Sequence, residues 1–495
     1  MKQLLEWLDT RRLATAILFV AIFALAVHAP TDSDTWWHLQ AGRVTLERGH
    51  SLQTDLFSHT RYGSRWVNHS WLSQIVLFWL FDHFSYAGLG LWVSTVVTAT
   101  FALVYLQMEG DPFSRAFIVV LAATTSAVIW SPRPQLFSFL LTAIVSYILY
   151  LFKWRQMNRL WLLPPLFVLW VNLHAGYALG FMVLAGFVAG ELLNHLLARV
   201  APSDDPVLSW RGVGLVGGTA LLSALLLIIN PNTSRMWTYY LDTVRIGALR
   251  DYIQEWRSPD FHPLYTQPFI WLLLTTMAAI GLSKRRADGT DLALVGLFAY
   301  AALVAARNIG PFALVAAPAL SRHAASLLTR SGWAARLRSF RRSSAMRGAI
   351  NLALLMLVIA LALVKIRIPL SPTLNEEVEQ EKFPANAVTW IQENHPAGEM
   401  FNPYGWGGYL IWKLWPEYRV FVDGRTDLYG DELLQTHLDV EWARPGFEQT
   451  LASYNVNLIL TPPGSVLASQ LECRGGWEQA YRDEGAAIYV RETVP

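Results

Sequence analysis

The sequence predicts an α-helical polytopic membrane protein of about eleven spans, with interfacial helices in its first outer loop and a small C-terminal α/β domain. Three observations predict this. Of 495 residues, 53% are hydrophobic and 15% charged, with mean hydropathy +0.30, whereas soluble globular chains carry about 25% charged residues. Apolar runs long enough to cross a hydrocarbon core of about 30 Å recur through residues 1–370. Beyond residue 374 charges become frequent and the apolar runs shorten to strand length. The 22 Trp residues suit two interfacial belts. A single cysteine, Cys473, excludes an internal disulfide and a thiolate metal site.

In order, the apolar runs stand near 13–29, 86–106, 115–130, 135–152, 158–173, 177–198, 212–230, 267–282, 290–306, 308–321 and 348–366. The first has a basic lead (Lys2, Arg11, Arg12) and reads as a retained anchor rather than a cleaved signal. Basic residues gather at Lys153, Arg155 and Arg159, at Lys284, Arg285 and Arg286, and in 322–347, which holds Arg322, Arg330, Arg336, Arg338, Arg341, Arg342 and Arg347 without an acid. Positive loops mark the cytoplasmic side. Placing these three inside puts the first outer loop (30–85), the 131–134 and 172–176 turns and the 231–266 loop outside. The N-terminus is then cytoplasmic and the C-terminal domain extracytoplasmic, in an inner or plasma membrane. The scheme closes only if the short run 69–81 does not cross, so that run is expected to be an amphipathic interfacial helix. Residues 374–495 read as the outer α/β domain, with strands at 419–423, 456–460 and 486–490 and helices near 384–394, 429–440 and 445–454.

The richest stretch follows the first span: Asp32-Ser-Asp34-Thr-Trp-Trp-His38. Acids so near hydrocarbon are costly, and where they stand a function is the first expectation; helix capping is the plainer reading. Asp34 and His38 are four apart and share a helix face. Carboxylates beside a His suit a divalent metal, Mg or Mn, held by Asp32, Asp34 and His38, or removal of a proton from an acceptor. His69, between Trp66 and Trp71, reads as a packing or a substrate-binding residue. Arg133 and Arg307 lie near the outer surface, where a guanidinium wants a carboxylate, a lipid phosphate or a snorkelling position. Asn172 and His174 are polar groups at the outer end of a span. Glu255 is a second carboxylate to set against Asp34, or half of a Glu–Arg pair. Trp406 and Tyr409, in Asn402-Pro-Tyr-Gly-Trp-Gly-Gly-Tyr409, and Asp423 and Arg425, in Asp423-Gly-Arg-Thr-Asp427-Leu-Tyr-Gly430, stand in glycine-rich runs that either bind an anion or pack strand on helix.

The acidic, aromatic opening at Asp32–His38 resembles that of C-type polytopic glycosyltransferases, the group of the oligosaccharyltransferase catalytic subunits and the dolichyl-phosphate-mannose protein mannosyltransferases. Asp34 matches the family's essential carboxylate, and Glu255 resembles an acid in a later outer loop. Trp390-Ile-Gln-Glu-Asn394 and Gly405-Trp-Gly-Gly-Tyr409 are similar to the opening of the family's outer domain. The oligosaccharyltransferase Trp-Trp-Asp-Tyr-Gly box is absent, because Gly405–Tyr409 has no Asp. The resemblance implies an inverting transfer of sugar from a polyprenyl-phosphate-linked donor to a glycan, lipid or protein acceptor. Asp34 would serve as base or acceptor orienter, with Arg307 and Arg133 neutralising the departing phosphate. Membrane lipids are expected partners and nucleic acid is not. Two other classes fit the sequence: a transporter or flippase of lipid-linked solutes, and a non-catalytic envelope scaffold with a glycan- or partner-binding outer domain.

Overall fold

The computed structural model describes residues 7–198, 200, 202–330 and 345–492. Each of the eleven apolar runs forms a helix: Thr10–Ala26, the second part of Trp71–Leu106, Pro112–Ser126, Gln135–Trp154, Leu163–Leu173, Tyr177–Leu197, Trp210–Leu226, Gln267–Leu282, Gly289–Val304, Ile309–Arg330 and Ala345–Arg367. Among the described residues, five helices are by themselves long and apolar enough to cross a membrane. The fold is that of a polytopic membrane protein. Run 69–81 continues into the next span as one stretch, Trp71–Leu106, with a break at Ser85, where φ is +52°. The break separates the segment carrying exposed Trp79 and Phe84 from the segment whose Val93, Val97, Phe101 and Val104 enter the bundle core.

Charges assigned to the basic side meet at one end of the bundle. Arg285 bridges Glu109 at 2.7 Å and Asp205 at 2.6 Å. Lys153, fully buried, holds Glu191 at 2.5 Å and Asp288 at 2.7 Å, and the Arg322 Nε donates to Asp291 at 2.8 Å. Arg133 and Lys153 flank opposite ends of the 20-residue helix Gln135–Trp154, about 30 Å apart at 1.5 Å per residue. Arg336, Arg338, Arg341 and Arg342 lie outside the described residues.

The C-terminal sheet has the order β1–β2–β4–β3, with β1 Glu399–Phe401, β2 Val456–Thr461, β3 Trp477–Arg482 and β4 Ala487–Arg491. β1 runs parallel to β2, and both other pairings are antiparallel. The helices expected here are Ala385–Asn394, Thr426–Glu441 and Phe447–Ser453, joined by Pro372–Lys382, Gly407–Leu414 and Val466–Arg474. Residues 419–423 are not a sheet strand. Their partner is the first outer loop: Val420 N donates to the Phe57 carbonyl, and His59 N to the Val420 carbonyl, both at 3.0 Å. The apolar pattern at 419–423 reports burial on both sides, and the chain that covers it is residues 57–59 of the first outer loop.

A second hydrophobic core therefore spans the two regions, with Trp36, Leu39, Val44 and Phe57 packed among Tyr409, Leu410, Leu460 and Ile488. Trp36 is wholly buried, its ring 5.7 Å from Tyr409 and 6.0 Å from Phe383 between centroids. The helix that starts at the acidic motif is thus built into the C-terminal domain.

Candidate functional site

Helix Asp34–Arg48 opens at Asp34, whose backbone N–H donates to the Asp32 carboxylate at 3.0 Å just before the first turn. One turn on, Trp36 faces the core while Trp37 faces back, donating its Nε1 to Asp34 at 3.1 Å, the i to i+3 neighbour relation of a helix surface. The adjacent tryptophans thus do different work. One anchors the helix and the other orients the acid.

Arg133, in the turn before Gln135–Trp154, is the hub. Its Nη1 lies 3.0 Å from Asp34 and 3.1 Å from Asp32, and its Nη2 lies 2.9 Å from Glu255. Glu255 stands in a single 3-10 turn, and its other oxygen is 3.5 Å from Arg307, whose guanidinium lies 4.1 Å over the Trp256 ring. Four separate segments thus bring three carboxylates and two guanidiniums to one place, with a negative charge in excess. Burial pushes the Asp34 carboxyl up to about 7, assisted by Asp32 and Glu255 against Arg133. For Glu255 burial acts the same way, but Arg133 and Arg307 outweigh it and hold it below the usual carboxylate range.

These groups line a cavity of about 770 Å³, with His38, His69 and His174 on its wall. Burial lowers all three imidazoles, His69 to about 4, so they are neutral near pH 7. The His174 Nδ1 accepts the Gly176 N–H at 3.0 Å and lies 2.8 Å from the Ser138 hydroxyl.

The outer domain closes the cavity with backbone rather than with the side chains the sequence suggested. A Cβ on Gly424 would lie 1.8 Å from Asp34 Oδ1, and one on Gly408 would lie 2.2 Å from the Ser33 carbonyl oxygen. Only glycine permits this approach. Asp423 and Arg425 flank Gly424 but do not touch the cavity. Arg425 is fully buried, its Nε 2.8 Å and Nη2 2.6 Å from Asp423 and its Nη1 2.6 Å from Asp55 of the first outer loop. They form a latch between loop and domain. Tyr409 donates to Glu379 at 3.2 Å within the second core, and Trp406 packs at that core's edge. Asn172 lies in a separate, mostly apolar groove, accepting from Trp71 Nε1 at 2.9 Å. None of these five residues lines the cavity.

The Asp32–Asp34–His38 set does not fit a metal site. The Arg133 guanidinium takes the place between the carboxylates, and His38 Nδ1 faces the Gln74 side-chain amide at 3.3 Å. Among the described residues no group of three or more His, Cys, Asp or Glu is gathered as a metal cluster. Sequence reasoning passed over Gly424, Tyr239 and Asp427, which also line the cavity. Asp427 stands in the same glycine-rich run as Asp423 and Arg425.

Solved structures similar to this chain share its overall fold. The apo oligosaccharyltransferase of Archaeoglobus fulgidus aligns at TM-score 0.59 and 12% identity, over 99% of this chain and 75% of that one. The same enzyme tethered to an acceptor peptide containing the NVT sequon aligns at TM-score 0.56 and 13% identity, over 98% and 75%. ArnT from Cupriavidus metallidurans bound to undecaprenyl phosphate aligns at TM-score 0.50 and 13% identity, over 97% of both chains. The fold is that of the C-type glycosyltransferases. No family model and no curated protein matches the sequence. The C-type architecture expected from Asp32–His38 is borne out, although fold alone does not carry an activity.

Proposed function

We propose that this protein is a membrane glycosyltransferase that moves a sugar from a polyprenyl-phosphate-linked donor to an acceptor at the outer face of the membrane. The observation that carries the reading is the meeting of Asp34, Glu255, Arg133 and Arg307 in one cavity at the end of the bundle away from the basic loops. With the basic end cytoplasmic, the cavity opens outside, where nucleotide sugars are lacking and a lipid-linked donor supplies the activated sugar. The ArnT of similar fold is seen with undecaprenyl phosphate, which supports a lipid carrier here.

In this mechanism an acceptor oxygen attacks the anomeric carbon, and the bond from that carbon to the phosphate oxygen breaks. The bonding electrons pass to the phosphate, whose growing charge faces Arg133 and Arg307. Preorganised positive charge of this kind is worth roughly 3–4 kcal/mol per group in a water-poor site. The acceptor proton goes to Asp34, whose raised affinity for protons suits a base working near neutrality. Trp37 and the Gly424 backbone hold that carboxylate in place. The Asp34→Asn variant keeps the shape and removes the base, so transfer should fall at least a hundredfold while the protein still folds. Undiminished transfer by that variant would refute the assignment.

A further inference from the structure

The cavity has a second half that the charged cluster does not use. His69 precedes helix Trp71–Leu106, His174 follows Leu163–Leu173, Tyr239 opens a short helix of the 231–266 loop, and Asp427 lies in the first turn of Thr426–Glu441. These four come from four separate stretches of chain. The His69 ring lies 5.5 Å from that of His174 and 5.0 Å from that of Tyr239, between centroids. Tyr239 and Asp427 line the same cavity, and the Tyr239 hydroxyl lowers the proton affinity that burial gives the Asp427 carboxyl.

This half differs from the other in its charge. Asp32, Asp34 and Glu255 each hold a guanidinium, and Asp260 holds His262. Among the described residues Asp427 makes no ion pair, and burial pushes its carboxyl up to about 6 against the opposing charge of Arg425, which is itself paired with Asp423 and Asp55. The cations felt here act through space, Arg307 on both histidines and Arg425 on Asp427. Both imidazoles are neutral, and since His174 Nδ1 accepts the Gly176 N–H, its proton stands on Nε2. Neither His69 Nε2 nor His174 Nε2 has a protein partner among the described residues, although both rings line the cavity. The wall therefore offers an anionic acceptor, neutral imidazole groups and an aromatic face. A phosphate, sulfate or carboxylate would meet the Asp427 charge with no cation paired to it. A hydroxyl meets what it needs, because it donates to the carboxylate while accepting from an N–H, and a sugar ring adds apolar C–H groups for the Tyr239 face.

We infer that His69, His174, Tyr239 and Asp427 form the acceptor subsite and that the group seated there is a neutral, polyhydroxylated carbohydrate. The inference rests on the glycosyltransferase reading and names the class of its acceptor. Asp427 and the two histidines position the acceptor, and Asp34 remains the proton-accepting group.

The test uses the full chain, purified into lipid nanodiscs and labelled, on a printed array of neutral glycans, anionic glycans and peptides. Neutral glycans should be retained, and Asp427→Asn and Tyr239→Phe should each weaken that retention about tenfold or more. Undecaprenyl phosphate binding, read by native mass spectrometry on the same samples, should be unchanged in both variants. Tyr239→Phe removes one hydroxyl and keeps the ring, so it decides the matter should Asp427→Asn fail to fold. The proposal is overturned by equal glycan retention in the variants, by no neutral glycan being retained by the unmodified protein, or by a preference for anionic glycans or peptides. Failure of the unmodified protein to bind undecaprenyl phosphate would count against the donor reading alone and leave the glycan result standing.

Discussion

Replacing Arg133 by Gln removes the hub that Asp32, Asp34 and Glu255 share. At 3.0 Å one such contact corresponds to about 5 kcal/mol of Coulomb energy at an effective dielectric constant of 20. The desolvation of the guanidinium offsets much of this. Removal of one partner from a buried pair costs about 3–5 kcal/mol. Because the side chains here keep between 14% and 34% exposure, the low end of about 3 kcal/mol applies at pH 8. The loss should depend on pH with a definite sign. Without Arg133 the three carboxylates repel, their pKa values in the folded state rise above the unfolded values, and the folded state binds more protons than the unfolded one. Stability then increases as pH falls and is lost as pH rises through the raised values. Thermal unfolding in detergent, followed by tryptophan fluorescence, reads this. Arg133→Gln should melt well below the unmodified protein at pH 8, and most of the gap should close at pH 5. A gap of the same size at both pH values, or none at pH 8, would refute the view that Arg133 is the counter-charge of this cluster.

Three further outcomes follow from the geometry. Gly424→Ala puts a methyl group 1.8 Å from Asp34 Oδ1, so the carboxylate or the turn must shift; overpacking should cost about 1–3 kcal/mol in melting, and a 1 Å misplacement should cost about a hundredfold in transfer rate. Arg425→Met leaves Asp55 and Asp423 buried without a cationic partner, at a cost of about 3–5 kcal/mol, and limited proteolysis should find the 50–65 stretch newly accessible; unchanged cleavage would count against the latch. The transfer rate should rise with pH through about 7 as Asp34, facing Arg133, Asp32, Glu255 and Trp37, loses its proton; a rate flat from pH 5.5 to 8 would remove Asp34 from the role of base.

The spans were legible because a spanning helix is a local matter of composition and length. The run 135–152 is the helix Gln135–Trp154, and the run 267–282 is Gln267–Leu282. The run 69–81, kept out of the crossing count by charge parity, is set off from the following helix by the break at Ser85. The outer domain was harder to read. β1 is three residues long and β3 is largely exposed, so neither leaves an apolar run. The opposite error occurred at 419–423, where a run as apolar as a strand pairs instead with the first outer loop.

By itself the sequence determined a chain of apolar helices, a basic side and an acidic, aromatic motif beside the first span. Each of these is set by neighbouring residues and their transfer free energies. Tertiary structure alone decided which charges meet. Asp34 takes an arginine 99 positions away, and Arg425 takes an aspartate 370 positions away. The Asp423 and Arg425 pair is therefore sealed as a latch, while Asp427, two residues beyond Arg425, is left facing the cavity. Electrostatic pairing falls off over a few ångströms, and separation along the chain carries no information at that scale until the chain has folded.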